Sequence, residues 1–257
     1  MGLSTDGPRL LVSLATYNEQ DNLRALIRDI HTVAPRADVL VIDDNSPDGT
    51  GKLADELAAL DPRIHVLHRP GKQGLGTALL AAMNYALTHG YDLMANMDAD
   101  FSHHPRYLPA LLAGMDRHDV MIGSRYIPGG GTVKWPLSRK LLSGGVNILV
   151  RLLMRLPAHD CSGGFRCYRV AKLRDTNLRR LLSHGYSFQQ EVLYRCHVAG
   201  CRIGETPIIF EDRRAGTSKV NPWEALRSIA VLVWIGLQVV AGAGRGRTKK
   251  PRKDANH

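Results

Sequence analysis

Two aspartates separated by one residue, Asp98 and Asp100, follow a run of apolar residues near the middle of the chain. Carboxylates at this spacing in a turn after a strand can share a divalent cation, and hard oxygen ligands of this kind suit Mg²⁺ or Mn²⁺. A cation held in this way can bind a diphosphate and stabilise its negative charge. An ordinary acidic turn has the same pattern, so both interpretations stay open on these residues alone.

A second acidic cluster, residues 43–46 (DDNS), also follows an apolar run. Carboxylates at such a strand end commonly bind ribose hydroxyls, although the following residues 47–49 (PDG) are equally typical of a turn.

Two competing phosphate-binding motifs are incomplete. Residues 74–76 (GLG) lack the third glycine of a dinucleotide-binding loop, and Ser46 stands where a P-loop ending at Lys52 would need glycine. The sequence therefore does not support a NAD or ATP fingerprint.

The elements that must position these carboxylates alternate regularly through residue 125. Apolar runs predict strands at 9–14, 38–42, 64–67, 93–97 and 120–122, and intervening segments predict helices at 20–34, 51–60, 74–88 and 107–115. This alternation predicts an α/β fold with a doubly wound, mostly parallel sheet, in which ligands bind outside the carboxyl ends of the strands. The polar clusters lie at those ends. Beyond them we expect helices at 138–154 and 188–198 and a late strand at 208–210.

The positive charge of the chain is concentrated at its end. Of the net +10, residues 245–254 supply +5 from six basic residues and one acidic residue. Before this run, residues 228–244 carry no charge, and a helix of that length spans about 25 Å, short of the roughly 30 Å hydrocarbon core of a bilayer. Basic flanks on both sides favour a helix that lies in or dips into the cytoplasmic interface. A helix packed on the core is the alternative.

These features divide the chain into four segments. We predict an N-terminal arm at 1–8, a catalytic domain at 9–221, an apolar membrane-associated helix at 222–244 and a basic disordered tail at 245–257. The four cysteines form no C-x-x-C pair, and no secretory signal is evident, so free thiols are expected.

A nucleic-acid-binding protein is the non-enzyme alternative. The charge lies in one tail and aromatic residues make up only 6%, which argues against it.

The order of the motifs is more specific than any one of them. Residues 15–19 (ATYNE), 43–50 (DDNSPDGT), 72–76 (KQGLG), 98–105 (DADFSHHP) and 123–126 (GSRY) are followed by Trp135 and by 139–143 (RKLLS), 160–166 (DCSGGFR), 188–191 (FQQE) and 213–219 (RRAGTSK). Over residues 9–220 this arrangement resembles the GT-A fold, family 2 glycosyltransferases, and among them the dolichol-phosphate (polyprenol-phosphate) mannosyltransferases. Two departures are Ala15, where the family often has proline, and the extra glycine of residues 162–165 (SGGF).

The resemblance implies a site in three parts. The residues expected to bind the nucleotide-sugar are Ala15, Tyr17, Glu19, Asp44, Asn45, Asp98, Ala99 and Asp100. Those expected at the metal are Asp98, Asp100 and Ser102. Those expected around the acceptor phosphate are Arg125, Arg139, Ser143, Arg213 and Lys219. The residues expected to carry catalysis are Asp98, Asp100, Arg125, Arg139 and Arg213.

The reaction implied by the resemblance is transfer of mannose from GDP-mannose to dolichyl or polyprenyl monophosphate, with inversion and with Mg²⁺ or Mn²⁺ as cofactor. A phosphate monoester is already an anion at neutral pH, so the attack needs no general base and relies on positioning and charge stabilisation. The implied partners are both substrates and the cytoplasmic face of a membrane, with a membrane partner subunit left open. The alternative is the same fold with UDP-glucose or UDP-GlcNAc as donor.

Overall fold

The computed structural model describes residues 7–178, 181, 185, 187–211, 232, 234, 236 and 237. Within these residues a seven-stranded sheet is the centre of the fold, and two further short strands pair beside it. The strands are β1 (Leu10–Thr16), β2 (Asp38–Asp43), β3 (Ile64–His68), β4 (Leu93–Asp98), β5 (Val120–Ser124), β6 (Gly131–Val133), β7 (Arg166–Arg169), β8 (Ile203–Pro207) and β9 (Ile209–Glu211).

The strand order in the large sheet is β3-β2-β1-β4-β7-β5-β8. All neighbouring pairs are parallel except those that β7 makes with β4 and β5, which are antiparallel. The prediction of a doubly wound, mostly parallel sheet is therefore confirmed. The strands β6 and β9 form a separate parallel pair near the end of β5.

Helices cover both faces of this sheet. They are α1 (Gln20–Val33), α2 (Thr50–Leu60), α3 (Leu75–Thr88), α4 (Leu108–Gly114), α5 (Leu137–Met154), α6 (Val170–Leu173) and α7 (Phe188–Val198), with 3₁₀ turns at Pro105–Tyr107 and Arg174–Thr176. Leu23, Leu26, Ile27 and Ile30 of α1 are buried, as their spacing predicts.

The core consists of two apolar layers, one on each face of the sheet. In β1, Leu11 packs in the layer with α3 and α7, whereas Val12 and Leu14 pack in the layer with α1 and α2. Successive side chains of a strand point to opposite faces, so a strand covered on both sides is apolar throughout. This explains why β1, β2 and β4 were recognisable as continuous apolar runs.

Three strands were not predicted from the sequence, namely β6, β7 and β8. β7 has only four residues and begins and ends with arginine, and β8 includes glycine, glutamate and proline. Neither strand shows an apolar run or a strict alternation. In β7, the fully buried Arg166 donates hydrogen bonds to the carbonyls of Cys161 and Gln189, so a charged residue takes a core position there. The prediction of free thiols is confirmed, since all four cysteines are unpaired and buried.

The predicted apolar helix at 222–244 and the tail at 245–257 lie mostly outside the described residues. The four residues described there are helical, and Leu232 joins the core layer that includes Val150 and Met154 of α5. A side chain added at Gly236 would meet the Cβ of Leu153 at 2.9 Å, so Gly236 lies close against α5. Among the helices that the structure describes, none is both long enough and apolar enough to cross a membrane.

Candidate active site

The carboxyl ends of β1, β2 and β4 lie side by side and bring three of the predicted motifs together. Ala15 is level with Ile42 on one side and with Asp98 on the other. Immediately beyond the strands, Asn18, Asn45 and Phe101 all adopt a positive φ of 56–64°. Such backbone is costly for residues other than glycine and is often found at functional sites. Three turns with this conformation therefore shape one rim of the sheet.

The acidic cluster after β2 divides into two roles. Asp43 accepts hydrogen bonds from the Ser46 hydroxyl at 2.5 Å and from the Thr16 hydroxyl at 3.2 Å, so it shapes the loop. Asp44 instead forms a bidentate pair with Arg69, with N–O distances of 2.6 and 3.0 Å. Both side chains of this pair are largely buried. Arg69 thereby fixes the orientation of a carboxylate predicted to bind the nucleotide, and nothing in its sequence context pointed to it.

Other residues predicted for the nucleotide surround the same rim. Tyr17 is 40% exposed, and the ammonium of Lys72 lies 4.8 Å from the centroid of its aromatic ring. The backbone N–H of Glu19 donates to the Thr50 hydroxyl at 2.9 Å. Tyr17 thus offers an accessible aromatic face beside a cation, an arrangement that suits a base next to phosphates.

The two aspartates after β4 differ in exposure. The Asp98 side chain is 31% exposed, while Asp100 is buried and accepts a hydrogen bond from the backbone N–H of Ser102 at 3.0 Å. The buried ring of His103 accepts the backbone N–H of Asp98 at its Nδ1, 3.0 Å away, and so holds the turn. His103 belongs to a motif noted in the sequence, but no role was inferred for it there.

The donor atoms of this turn fit a hard divalent cation. Within the part of the chain that the structure describes, no three His, Cys, Asp or Glu side chains converge into a closed metal site. Mg²⁺ and Mn²⁺ are nevertheless often held by one or two carboxylates, with the remaining positions taken by water and by substrate phosphates. Asp98 and Asp100, with Ser102 beside them, suit such an open site.

On the other side of the rim, Arg125 after β5 forms a buried bidentate pair with Asp160. The N–O distances are 2.7 and 2.8 Å, and the backbone N–H groups of Arg125 and Gly163 also donate to this carboxylate. Burial is the largest single effect on the pKa of Asp160 and acts to raise it, but the hydrogen bonds and the positive charge of Arg125 together exceed it, so the net pKa is lowered. Burial is likewise the largest single effect on Arg125 and acts to lower its pKa, but the hydrogen bond to Asp160 and the charge of Asp160 together raise it. Both groups are therefore charged at neutral pH.

The two glycines that distinguish this loop both have close neighbours. A side chain at Gly163 would begin 3.2 Å from the Asp160 carboxylate, and one at Gly164 would begin 3.5 Å from the side chains of His103 and Gln189. Gly163 therefore leaves room for the Asp160 carboxylate, and Gly164 leaves room for His103 and Gln189.

The remaining predicted acceptor residues that the structure describes lie around a small cavity next to this pair. The cavity has a volume of about 230 Å³ and is lined by Arg125, Tyr126, Gly131, Thr132, Trp135 and Lys140. The Arg139 guanidinium lies 4.0 Å from the centroid of Trp135, and the Tyr126 hydroxyl donates to the Ser143 hydroxyl at 2.7 Å. Arg125, Arg139 and Ser143 are thus brought together, whereas Arg213 and Lys219 lie outside the described residues.

The fold is that of a glycosyltransferase with the GT-A architecture. Residues 12–176 match the model of "Glycosyl transferase family 2". The chain belongs to this family, since the match covers more than half of its length.

Two curated relatives extend the similarity beyond the family domain. The chain is 44% identical over 213 residues to the undecaprenyl-phosphate mannosyltransferase of Micrococcus luteus, an alignment that covers 83% of this chain and 88% of that protein. It is also 44% identical over 215 residues to the polyprenol monophosphomannose synthase of Mycolicibacterium smegmatis, covering 83% of this chain and 81% of that protein.

Solved structures agree with the fold. The glucosyl-3-phosphoglycerate synthase of Mycobacterium tuberculosis, in complex with Mn²⁺, UDP and phosphoglyceric acid, superposes with a TM-score of 0.60 at 17% identity, covering 92% of this chain and 79% of that chain. The same protein in complex with Mn²⁺ and UDP-glucose superposes with a TM-score of 0.58. At this level of identity the likeness concerns the fold.

The buried pair predicts a defined pH dependence of stability. Replacing Asp160 with Asn leaves the buried Arg125 without its counter-charge, and we expect a loss of about 3–5 kcal/mol in the free energy of unfolding at pH 7. Because the pKa of Asp160 is lowered in the folded protein, its contribution is complete above the unfolded value of about 3.9 and is lost as pH falls through the folded value. Urea unfolding of both proteins between pH 7 and pH 3 measures the difference. A difference that stays constant below pH 4, or that is absent at pH 7, would contradict this assignment.

Proposed function

We propose that the chain transfers mannose from GDP-mannose to the phosphate of a polyprenyl monophosphate, with inversion at the anomeric carbon. The observation that carries this proposal is the juxtaposition, on one rim, of the Asp98–Asp100 turn and a cationic pocket around Trp135. The names of the two relatives support the sugar and the polyprenyl acceptor. The guanosine donor rests on the resemblance of the motifs between residues 15 and 126.

The residues divide between the two substrates. On the donor side, the residues that contact the nucleoside are Tyr17, Glu19, Asn45 and Asp44, the last of which is oriented by Arg69. Ala15 and Ala99 leave room for the nucleoside beside the strand ends. A divalent cation on Asp98 and Asp100 would neutralise charge that develops on the departing diphosphate. On the acceptor side, the residues proposed to position the lipid phosphate are Arg125, Arg139 and Ser143, with Lys140 beside them in the cavity lining. Arg213 and Lys219 are proposed to join them.

The chemistry needs no proton abstraction. A phosphate oxygen attacks the anomeric carbon as the carbon–oxygen bond to the diphosphate breaks, and the bonding electrons leave with GDP. Among the described residues that line the acceptor cavity there is no carboxylate, which suits an acceptor that is already ionised. Arginine is well suited to this role because its planar guanidinium can donate two parallel hydrogen bonds to phosphate oxygens.

The acceptor is a lipid, and the outward face of α5 suits contact with a membrane. Six large apolar side chains of this helix are 45–71% exposed, namely Leu137, Leu141, Leu142, Ile148, Leu149 and Leu152. The opposite side of the helix packs into the protein through Asn147, Val150 and Met154. An exposed apolar stripe of this extent on one helix is unusual for a surface that faces only water.

Two further features favour an anionic lipid surface as the partner of this face. Lys140 and Arg151 lie along α5 and Arg155 directly follows it, where they can bind lipid phosphates while the leucines enter the acyl boundary. Trp234 and Leu237, which belong to the segment packed on α5, are also about half exposed. Helix α5, which carries Arg139 and Ser143, would therefore contact the cytoplasmic face of the membrane in which the polyprenyl chain lies.

The proposed reaction predicts a lipid product that depends on the aspartate turn. Incubation of the protein with radiolabelled GDP-mannose, Mg²⁺ or Mn²⁺ and a polyprenyl phosphate should move label into the organic phase. The Asp98→Asn substitution should reduce the rate of transfer at least a hundredfold without unfolding the protein, since it weakens the stabilisation of the departing diphosphate. A parallel reaction with UDP-glucose tests the alternative donor. Transfer of glucose but not mannose would reject GDP-mannose as the donor. Near-normal activity of Asp98→Asn in the presence of EDTA would reject Asp98 as a metal ligand.

The acceptor pocket predicts that Arg139→Ala lowers kcat/KM for polyprenyl phosphate roughly ten- to a hundredfold, because each charge-assisted hydrogen bond contributes about 1.5–3 kcal/mol. GDP affinity, measured by calorimetry, should stay within about twofold. Arg139→Lys should restore little if the contact is bidentate. Arg139 is a cleaner probe than Arg125, whose loss also leaves the buried Asp160 without its counter-charge. Equal losses of GDP affinity and activity would move Arg139 to the donor side.

The apolar face of α5 predicts a loss of membrane binding on charge insertion. The Ile148→Glu and Leu152→Glu substitutions should each weaken binding to anionic vesicles about tenfold or more, because burial of such a side chain contributes about 1.5–3 kcal/mol. Leu60→Glu is a matched control, since Leu60 is the exposed last residue of α2. Vesicle co-sedimentation measures the effect. If all three variants sediment like the wild-type protein, α5 is not the membrane-binding face.

A further inference from the structure

The partly buried ring of Phe210 in β9 lies between the Asp98 turn and the acceptor cavity. Its centroid is 5.4 Å from that of His103, which holds the Asp98 turn, and 5.6 Å from that of Trp135, which lines the cavity. Both contacts are edge-to-face, with interplanar angles of 73° and 72°. Aromatic pairs prefer this geometry, and it stabilises them beyond the effect of the buried area. One side chain therefore contacts both halves of the rim.

The contacts of Phe210 complete a continuous run of side chains from Asp98 to Arg139. At one end, the backbone N–H of Asp98 donates to Nδ1 of His103 at 3.0 Å. At the other end, the Arg139 guanidinium lies 4.0 Å from the centroid of Trp135. Closely packed side chains transmit a displacement to their neighbours. Phe210 is the link that joins the Asp98 side of this run to the Arg139 side.

The main chain around Phe210 is attached to both sides of the rim. The backbone N–H of the preceding residue, Ile209, donates to the Tyr107 hydroxyl at 3.1 Å, and Tyr107 belongs to the 3₁₀ turn that follows the Asp98 turn. On the other side, Phe210 is level with Thr132 of β6, which lines the acceptor cavity. The ring is therefore carried on a strand whose position is fixed relative to the donor and acceptor halves alike.

We infer that Phe210 is a positioning residue, which holds the acceptor-phosphate pocket at the separation from the Asp98 turn that in-line attack requires. Phe210 acts through His103 and Trp135 and needs no contact with either substrate. Efficient attack needs the reacting atoms aligned at about 3–3.5 Å, and a misplacement of about 1 Å can cost a hundredfold in rate. This inference rests on the proposed function, because it places both substrates on this rim. Each subsite keeps its own binding groups without Phe210, so its loss affects transfer more than binding.

The test separates catalysis from binding. Phe210→Leu keeps an apolar side chain but removes the ring, and we expect kcat for mannose transfer to a polyprenyl phosphate to fall about tenfold. The KM for polyprenyl phosphate and the GDP affinity, measured by calorimetry, should change less than about threefold. The stoichiometry of GDP binding counts the folded sites, so kcat is expressed per folded site. Phe210→Met, which also lacks a ring, must show the same loss, whereas Phe210→Tyr keeps the ring and should restore kcat to within about twofold of the wild-type value.

A double variant tests whether Phe210 acts through the acceptor pocket. In the Arg139→Ala protein the contact that Phe210 positions is already lost, so adding Phe210→Leu should lower kcat by less than about threefold. A merely structural role would instead multiply the two losses. Tyr85→Leu is a matched control, since Tyr85 is a partly buried aromatic residue near the end of α3, with ring neighbours His89 at 3.8 Å and Tyr91 at 6.4 Å. It should leave kcat per folded site within about twofold of the wild-type value, even if the melting temperature falls.

The outcomes keep this inference distinct from the proposed function. A wild-type protein that forms the mannolipid while Phe210→Leu retains its kcat per folded site would overturn only the role of Phe210. The same conclusion follows if Phe210→Tyr is as slow as Phe210→Leu, or if the losses multiply in the double variant. A wild-type protein that transfers neither mannose from GDP-mannose nor glucose from UDP-glucose to the lipid would reject the proposed function, and the inference with it.

Discussion

The ion pair between Arg125 and Asp160 joins most of the elements on the acceptor side of the rim. Asp160 accepts from Arg125 at the end of β5 and from Gly163 in its own loop, while its backbone N–H donates to Glu205 of β8 at 2.9 Å. The same loop is bound to α5 through Asn147, whose side chain accepts from Cys161 and donates to Ser162. A buried pair of this kind costs much desolvation and stabilises only when its hydrogen bonds are satisfied. Here they are, so β5, β8 and α5 are held in one arrangement around the cavity beside Trp135.

The donor side of the fold could be predicted from the sequence, and the reason is the parallel sheet. β1, β2 and β4 are buried on both faces, so they appear as apolar runs, and their carboxyl ends must meet at one edge. Asp44, Asp98 and Asp100 could therefore be placed near each other without any knowledge of contacts. The side chains that hold these aspartates in place could not be predicted in this way. Arg69 and His103 act through side-chain geometry, and no spacing rule links them to the carboxylate and the turn that they hold.

The acceptor side was predictable only through resemblance to a family. Arg125 and Asp160 are 35 residues apart, and the short antiparallel strand β7 that follows Asp160 has no apolar pattern. The exposed face of α5 was also missed, because its leucines alternate with basic and small residues and suggest an ordinary amphipathic helix. Only the structure shows that apolar side chains lie on the outward side as well as the inward side of this helix. The membrane contact that the sequence predicted at 222–244 is therefore proposed for the outward face of α5 as well.

The central claim is that one rim holds the sugar donor at the Asp98 turn and the acceptor phosphate in the pocket beside Trp135. The most direct measurement is a crystal structure of the full chain with GDP, Mn²⁺ and a short-chain polyprenyl phosphate. We expect the diphosphate next to Asp98 and Asp100, and the acceptor phosphate within hydrogen-bond distance of the Arg139 guanidinium, with the polyprenyl chain leaving along the apolar face of α5. An acceptor phosphate bound away from Arg139 and Ser143, or a chain that leaves on the opposite side of the sheet, would contradict the account.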